Sequence, residues 1–194
     1  MIAERTPSDV AGWLRRPGAH DDKYRRGVLG VRTGSAAYPG AAVLGVGAAW
    51  RTGVGLLRYV PPTADPAPPY GLMTPAAAVL AASPETVFGA PQDARQCDAW
   101  LLGSGTDPDT RSAAETAALT ELLAGPAPVV VDAGALGLAA ELRGGGGSPA
   151  ETPLILTPHA GEFARLWRGA GLGDPPAALR EPDAVQARGE AAAA

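Results

Sequence analysis

His159 is one of only two histidines in the chain, and it stands where an apolar segment gives way to a helical pattern. Residues 154–166 read LILTPHAGEFARL, so the imidazole follows Thr-Pro directly. An imidazole at the start of a helix can donate to a phosphate or a sugar hydroxyl, or transfer protons near neutral pH. The alternative is an ordinary solvated histidine, which is the interpretation that fits His20 in the N-terminal loop. Residues elsewhere in the chain must distinguish the two.

Two other segments place small or polar residues directly after predicted strands. Gly103-Ser104-Gly105 follows DAWLL and precedes a helix. The backbone N–H groups of such a turn can approach an anionic ligand, whose charge the helix N-terminus favours. The alternative is an ordinary tight turn in which Asp107 caps the helix, since the spacing matches neither a P-loop nor G-x-G-x-x-G. Asp132 ends the strand VVVD and can face a polar ligand or a metal, or cap the following helix.

Lys23 is the only lysine among 16 basic residues. A compact ammonium group suits a position beside a phosphate, although a chance surface lysine fits equally well. No group of His, Cys and Asp residues has the spacing of a metal site, so we expect no metal ligands in this chain. No G-x-S-x-G nucleophile turn occurs either.

The composition limits the possible partners and compartment. The chain has 194 residues, 46% hydrophobic and 19% charged, which is typical of one large globular domain. The net charge of -4, without a basic run longer than two residues, argues against nucleic acid or an anionic membrane surface as the main partner. Cys97 is the only cysteine, and no segment approaches the ~20 apolar residues of a membrane span. We therefore expect a cytoplasmic protein.

Strands and helices alternate along the chain. The predicted strands lie at 27–32, 54–60, 85–88, 98–102, 128–133 and 154–157, and the predicted helices at 7–16, 39–53, 74–82, 108–124, 135–142 and 159–167. Apolar strands without in/out alternation indicate a parallel sheet covered on both faces, which is a three-layer αβα arrangement of the α/β class. Ligands of such folds bind at the carboxyl ends of the strands. We therefore expect the four small or polar strand ends, at 34–35, 103–105, 132 and 157–159, to form one site.

Taken together, these segments resemble one family. Residues 20–60 contain a Lys-Tyr-x-Arg-Gly start, a strand, Gly-Ser and then Tyr-Pro-Gly-Ala-Ala before a helix. LLGSGTD at 101–107, VVVDAGAL at 129–136 and LILTPHAGEFARL at 154–166 complete the pattern. This order is similar to that of the ADP/ATP-dependent NAD(P)H-hydrate dehydratases, the carbohydrate-kinase-like proteins of nicotinamide-nucleotide repair. The first and last blocks are the specific ones.

The resemblance implies a ribokinase-like fold and an activity. The activity is the ATP- or ADP-driven dehydration of hydrated NADH or NADPH, a lyase reaction of metabolite repair. A phosphoryl group from the nucleotide turns the ring hydroxyl into a leaving group, and the ring nitrogen drives the elimination. Mg²⁺ is expected to neutralise phosphate charge. The resemblance also implies a homo-oligomer.

Matching positions carry the family's site onto this chain. Three residues are expected to contact the hydrated dinucleotide, namely Ala41, Gly105 and His159. Seven others are expected to line or support the same edge, namely Lys23, Gly34, Ser35, Tyr38, Gly103, Asp132 and Glu162.

The chain also departs from the family pattern. Ser104 replaces the usual proline, and Gly134 stands where the family often has a second Asp. The family's Lys-Gly-x-x-Thr turn and the Gly-Ser-Gly-Asp helix start, which carries its catalytic Asp, have no counterpart, so that Asp would lie beyond residue 194. We therefore expect one partial domain over 1–194, C-terminally truncated, with a sheet incomplete on its C-terminal side. A poorly ordered tail over 169–194 and reduced or absent turnover would follow.

Two alternatives remain open from the sequence. The same superfold includes small-molecule kinases of the hydroxymethylpyrimidine or hydroxyethylthiazole type, and fold-level analogy permits such an activity. A non-catalytic fragment that binds NAD-like ligands or a partner is the other alternative.

Overall fold

The computed structural model describes residues 6–12, 16–89, 97–145 and 152–176. Six strands form one sheet in the order β3-β2-β1-β4-β5-β6. The strands are β1 (Val28–Arg32), β2 (Leu56–Tyr59), β3 (Val87–Phe88), β4 (Ala99–Leu102), β5 (Val129–Val131) and β6 (Leu154–Leu156). The helices are α1 (Pro7–Ala11), α2 (Pro39–Arg51), α3 (Pro75–Ala82), α4 (Ala113–Leu123), α5 (Leu136–Gly144) and α6 (Ala160–Gly169), with 3₁₀ turns at Pro69–Gly71 and Ala133–Ala135. No helix within these ranges is long and apolar enough to cross a membrane.

All neighbouring strands of the sheet are parallel, which confirms the prediction of a mostly parallel α/β sheet. The chain runs outward from β1 through β2 to β3, then returns to the other side of β1 and runs from β4 to β6. Because crossovers between parallel strands are right-handed, helices of the first run cover one face and helices of the second run the other. The strand order therefore reverses between β1 and β4, which is where ligands of open α/β sheets bind.

One cluster of the hydrophobic core lies between the central strands and the helices of the first run. Val31, Leu57 and Tyr59 of the sheet pack with Val46 of α2 and Val79 of α3, and all five are fully buried. Burying one Val or Leu side chain contributes about 1.5–3 kcal/mol, so each aliphatic residue of this cluster stabilises the packing of α2 and α3 on the sheet.

The closeness of α2 to the sheet explains one of its interior glycines. A Cβ added at Gly45 would lie 2.9 Å from Thr33 Oγ1, so only glycine allows the helix to approach the residue after β1. Close packing of α2 on the sheet therefore accounts for a glycine inside this helix.

The predicted helix 108–124 is wrong in its first turn. The helix begins at Ala113, and Ser112 is its N-cap, whose hydroxyl accepts from the N–H of Glu115. The preceding residues form turns in which the Asp107 carbonyl accepts from Arg111 N and the Asp107 carboxylate accepts from Asp109 N. The sequence pattern predicts Pro108 as the first helical residue, but Pro108 lies inside this turn.

The chain divides into two compact units, residues 22–158 and residues 1–21 with 159–194. The first contains the whole sheet with α2 to α5. In the second, Thr6 and Asp9 form a reciprocal capping box at α1. After α6, the indole N–H of Trp167 donates to the carbonyl of Leu172. Most of the tail predicted over 169–194 lies outside the described residues.

Candidate functional site

The turns after β1 and β4 meet at the point where the strand order reverses. Gly34 N donates to the carbonyl of Ser104 at 2.7 Å, and Gly103 N donates to the carbonyl of Arg32 at 3.2 Å. These two bonds join the predicted Gly-Ser and Gly-Ser-Gly segments into one surface. The expectation that their strand ends share an edge follows from the parallel register of β1 and β4.

Gly105 touches the first turn of α2 at this surface. The φ of Gly105 is +70°, in the left-handed region. A Cβ added to Gly105 would lie 3.2 Å from the Cα of Gly34. The same Cβ would collide with the methyl group of Ala41. Larger side chains at either position would therefore separate the β4 turn from the helix. The structure thus brings together two of the three residues that the resemblance assigns to substrate contact.

Asp132 accepts hydrogen bonds from two hydroxyl groups. Ser104 Oγ donates to Asp132 Oδ2 at 2.7 Å, and Thr157 Oγ1 donates to Asp132 Oδ1 at 3.0 Å. The carboxylate makes no capping bond to the 3₁₀ turn that follows, so of the two sequence interpretations the cap does not apply here. Asp132 instead connects the ends of three neighbouring strands, β4, β5 and β6. Ser104, which replaces the family's proline, supplies one of these bonds.

A cavity of about 340 Å³ opens beside the turns after β1, β2 and β4. Its lining consists of Gly34–Ala37, Pro62–Ala67, Pro69, Thr106, Asp107, Thr110–Ser112 and Glu115. The volume lies at the lower end of the roughly 300–1,000 Å³ of small-molecule sites. Gly34 and Ser35 are the only predicted site residues among these lining residues. The sequence analysis therefore predicted the wall formed by the turn after β1 and missed the rest of the lining.

A buried ion pair supports that cavity. Arg32, at the end of β1, donates from Nε to Glu115 Oε1 at 2.9 Å and from Nη2 to Glu115 Oε2 at 2.5 Å. Both side chains are almost completely buried, with 1% and 3% of their surface exposed. The N–H of Thr63 donates to Glu115 Oε2 at 2.6 Å, and Thr63 Oγ1 accepts from Arg32 Nη2 at 2.7 Å. The pair therefore connects β1, the segment after β2 and α4.

Asp65 is the half-buried carboxylate of the same segment. Burial raises its pKa, a hydrogen bond from the Ala36 backbone lowers it, and the negative charge of Glu115 raises it further. Ala64, just before it, has a φ of 54°, in the left-handed region that non-glycine residues rarely adopt. The contact with Ala36 joins the segment after β2 to the segment after β1.

Arg111 is the one guanidinium among the lining residues of the cavity. Its Nη1 donates to the carbonyl of Gly134 at 2.8 Å, and its Nε donates to Thr116 Oγ1 at 3.0 Å. Its charge therefore lies between α4 and the turn after β5.

His159 caps α6, within the second unit. Its ring Nδ1 accepts a hydrogen bond from the backbone N–H of Gly161 at 3.0 Å. The backbone N–H of His159 donates to Glu162 Oε2 at 2.9 Å. An Nδ1 that accepts a backbone N–H carries no proton, so the neutral ring has its hydrogen on Nε2. Glu162 Oε1 lies 3.4 Å from that Nε2, and 68% of the His159 side chain is exposed. Glu162 therefore lies beside the imidazole that the resemblance assigns to substrate contact.

The remaining predicted residues lie in different places. Tyr38 precedes α2, is 59% exposed and accepts from Ala41 N through its carbonyl. Lys23 is exposed before β1, with Nζ 5.2 Å from the centre of the Tyr24 ring. Its carbonyl packs against Gly55, which precedes β2. Since both strands begin there, the structure places Lys23 at the amino ends and not at the predicted edge.

The sequence did not reveal the ion pair. The sequence pattern makes Arg32 the last residue of a predicted apolar strand, and Ser112-x-x-Glu115 has the spacing of a capping box, in which Glu115 would bond back to its own helix. In the structure, Ser112 makes its half of the box, while the Glu115 carboxylate binds Arg32 and Thr63. A charged residue ending an apolar strand was the available signal, but its partner is 83 residues away.

Acidic residues do not gather into a metal site in the part of the chain that the structure describes. Within it, no three His, Cys, Asp or Glu side chains lie close enough together to hold an ion.

Comparison with known proteins gives the relationship of this chain to others. The family model of the NAD(P)H-hydrate dehydratases matches residues 29–185. The chain belongs to this family. The predicted resemblance is confirmed, and the matched region includes both the β1–β4 edge and the His159 block.

Three relatives illustrate the similarity. The bifunctional NAD(P)H-hydrate repair enzyme Nnr of Mycobacterium tuberculosis is 42% identical over 171 residues, which cover 86% of this chain and 32% of the enzyme. The crystal structure of the ADP/ATP-dependent NAD(P)H-hydrate dehydratase of Bacillus subtilis, co-crystallised with ATP and Mg²⁺, superposes with a TM-score of 0.63 at 26% identity. That match covers 83% of this chain and 54% of the other. A ribokinase-like superfamily protein of Enterococcus faecalis, with a TM-score of 0.62 at 20% identity over 86% of this chain and 56% of its own, supports the ribokinase-like fold.

The chain spans about a third of the length of the mycobacterial enzyme that it matches. The activity and ligands of the whole enzymes are therefore considered below as proposals for this chain.

Proposed function

We propose that this chain takes part in the ADP- or ATP-dependent dehydration of hydrated NADH or NADPH, by binding the hydrated dinucleotide at the carboxyl edge of its sheet. The family match and the names of the relatives support this proposal. The chain's own contribution would be to bind and orient the substrate, while ADP or ATP would supply the phosphoryl group that activates the ring hydroxyl.

The contact between Ala41 and Gly105 carries the proposal. It lies where the strand order reverses, which is the ligand position of open α/β sheets. Both residues present almost no side chain, so a planar group can lie directly on the start of α2. We propose that Ala41, Gly105 and His159 contact the dinucleotide and that Gly34, Ser35, Gly103, Asp132 and Glu162 support them. Tyr38, exposed beside Ala41, is proposed to border the same ligand.

The Asp132 bridge supports the same proposal. Its carboxylate fixes Ser104 of the β4 turn, and the same turn provides Gly105. A turn held from both sides loses little further freedom when a ligand binds, which favours affinity. Lys23, at the opposite ends of the strands, is not part of this proposal.

The test separates binding from turnover. Isothermal titration of the chain with hydrated NADH measures binding, with NADH itself as the matched ligand that lacks the added hydroxyl. Recovery of dihydronicotinamide absorbance with hydrated NADH, ATP and Mg²⁺ measures turnover. Binding of hydrated NADH in preference to NADH is the expected result. If neither ligand binds, or if ATP instead phosphorylates a vitamin-precursor alcohol, the proposal is wrong and the kinase alternative gains support.

We further propose that the chain forms homo-oligomers and acts in the cytoplasm on small molecules, without nucleic acid or membrane partners. Leu44 of α2 and Leu80 of α3 are 75% and 54% exposed, and large exposed aliphatic residues on neighbouring helices favour association. The single cysteine fits a cytoplasmic location, and the net charge of -4 fits the lack of nucleic acid and membrane partners. Sedimentation of the chain and of Leu44→Lys tests the oligomer, because the variant should shift toward the monomer.

A further inference from the structure

The cavity beside the turns after β1, β2 and β4 has a charge pattern that the proposed function does not explain. Its lining includes three carboxylates, Asp65, Asp107 and Glu115, and one guanidinium, Arg111. Glu115 is neutralised by the buried Arg32. Two carboxylates therefore remain against one cation, so the cavity has an excess of negative charge. A phosphate group would meet repulsion here, although dinucleotides bind many proteins through their phosphates.

Asp65 and Asp107 each accept one backbone hydrogen bond, fewer than Glu115, and Asp65 lies on the segment that the ion pair fixes. The Glu115 carboxylate accepts from the Arg32 side chain and from Thr63 N–H, and Asp107 accepts from Asp109 N. Asp65 is half-buried and receives a hydrogen bond from the Ala36 backbone. A carboxylate has about four lone-pair positions, so Asp65 can accept further bonds from a ligand.

The segment that carries Asp65 is held in place. Thr63 bonds to both Arg32 and Glu115, and its carbonyl accepts from Ser112 Oγ at 2.8 Å. Ala64 then adopts its left-handed φ of 54°, which turns the chain into Asp65. Strained backbone next to an acidic residue in a cavity is typical of ligand sites, where the surrounding contacts maintain the strain.

We propose that this cavity binds an uncharged ring through an amino or amide N–H₂ group, which donates a hydrogen bond to the Asp65 carboxylate, and that it excludes phosphate. This inference rests on the proposed function. A hydrated dinucleotide carries such a group at both ends, as the carboxamide of the nicotinamide ring and as the amino group of adenine. Both groups are N–H₂ donors on an uncharged ring, and a cavity of about 340 Å³ has room for such a ring.

Two pairs of small ligands test the proposal and distinguish the two ends. Nicotinamide and nicotinate differ in whether the ring carries an N–H₂ donor or a carboxylate, and adenosine and inosine differ in whether it carries an N–H₂ donor or a carbonyl. The ¹⁵N-labelled chain is titrated with each at millimolar concentration, and the amide signals of Ser35, Ala36, Ala64 and Asp65 are followed. Inorganic phosphate is the fifth probe.

We expect one N–H₂ ligand to move these signals. Its matched partner should bind at least about tenfold more weakly, as expected for the loss of a hydrogen bond to a charged acceptor. The pair that responds identifies the end of the dinucleotide. Inorganic phosphate should leave the four signals unchanged. Absence of any response to nicotinamide and adenosine, equal binding within both pairs, or a response to phosphate would each overturn the proposal.

A variant adds a second measure. Asp65→Asn keeps the shape of the side chain and replaces the charge with an amide, so the preference for the N–H₂ ligand should fall by about tenfold. Glu121→Gln, an exposed carboxylate of α4 outside the cavity, should keep the full preference. An Asp65→Asn variant that folds and retains the preference would overturn the proposal. The ligand pairs already test the wild-type chain if the variant does not fold.

These outcomes are separate from those for the proposed function. If hydrated NADH binds while the small ligands move signals elsewhere, the cavity assignment fails and the proposed function stands. If the small ligands bind as expected while hydrated NADH does not, the cavity selects N–H₂ groups for another purpose and the dehydratase proposal fails.

Discussion

Arg32 and Glu115 form a two-bond ion pair that connects the central strand β1 to α4 with almost no exposure to solvent. Two N–H groups of the guanidinium meet both carboxylate oxygens, and Thr63 bonds to each partner. Desolvating two charges is costly, and the geometry of the pair offsets that cost only while both partners remain. The pair thus fixes the position of the segment after β2, and with it one wall of the cavity.

Removing one partner should therefore be far more harmful than removing both. We expect Arg32→Met to lower the free energy of unfolding by about 3–5 kcal/mol, because Glu115 keeps an uncompensated buried charge. Arg32→Met with Glu115→Leu should recover part of this loss, leaving about 1–3 kcal/mol for the unsatisfied N–H of Thr63. Urea unfolding measures both. Arg168→Met removes an exposed pair with Asp174 and should cost about 0–1 kcal/mol. Equal losses for Arg32→Met and Arg168→Met would contradict the assignment.

The contact between Gly105 and Ala41 predicts that a second substitution can rescue part of the stability lost by the first. Gly105→Ala should lower the free energy of unfolding by about 2–5 kcal/mol, since the left-handed conformation costs about 1–2 and overpacking about 1–3 kcal/mol. Adding Ala41→Gly removes the collision with the Ala41 methyl but leaves the conformational cost. The double variant should therefore recover only part of the stability. Thermal unfolding of the single and double variants measures this, and a double variant no more stable than Gly105→Ala would contradict the contact.

The parts of the fold that depend on local pattern could be predicted from the sequence, and those that depend on distant pairing could not. β5 and α2 have strong local signals, an apolar run in one case and Pro-initiated helical spacing in the other, and both are confirmed. The predicted helix start at Pro108 failed because Asp107 forms a turn that competes with the first helical bonds. The predicted parallel sheet was sufficient to place the turns that contain Gly34 and Ser104 at the same edge.

The cavity chemistry lies beyond such reasoning for a physical reason. Arg32 and Glu115 are 83 residues apart, and each has a plausible local role, as a strand end and as a capping residue. Only the register of the sheet and the position of α4 place them together. Lys23 illustrates the opposite error, because a residue type suited to phosphate lies at the amino ends of the strands.

Asp65 should make the stability of the chain depend on pH. Its pKa is raised by burial and by the charge of Glu115, so between the ordinary and the raised value the folded state binds more protons than the unfolded state. The free energy of unfolding should therefore fall as pH rises through that window. Asp65→Asn has no group that titrates at this position, so it should be more stable than the wild type above this pH window. Glu121→Gln should follow the wild type. The charged and titratable groups that act on Asp65 or share its cavity are Glu115, Arg32, Tyr59, Asp107 and Arg111.

The measurement is a set of urea unfolding curves from acidic to neutral pH. If the difference in stability between wild type and Asp65→Asn has the same value at every pH, the raised pKa of Asp65 is wrong.

The outer strand β6 predicts a site of self-association. Ile155 and Leu156 are 59% and 37% exposed there, and an outer strand presents unpaired backbone groups as well as these side chains. Ile155→Lys should therefore reduce light scattering by concentrated protein. Leu44→Lys, the same kind of change on α2, is the matched comparison, and it should change a defined oligomer and leave slow aggregation unaffected. An Ile155→Lys variant that aggregates as the wild type does would show that β6 is not the surface involved.

His159 caps α6, and a pair of substitutions can separate this role from its proposed contact with the ligand. Asn at this position can still cap α6, because its side-chain oxygen accepts the same backbone N–H groups, whereas Ala cannot. His159→Ala should therefore lose about 0.5–2 kcal/mol of stability and His159→Asn much less. Only the imidazole carries the exposed Nε2–H beside Glu162. If the ring contacts the hydrated dinucleotide, both variants should bind hydrated NADH more weakly in isothermal titration, by similar factors. If only His159→Ala binds more weakly, the histidine acts as a cap and its proposed contact with the ligand is wrong.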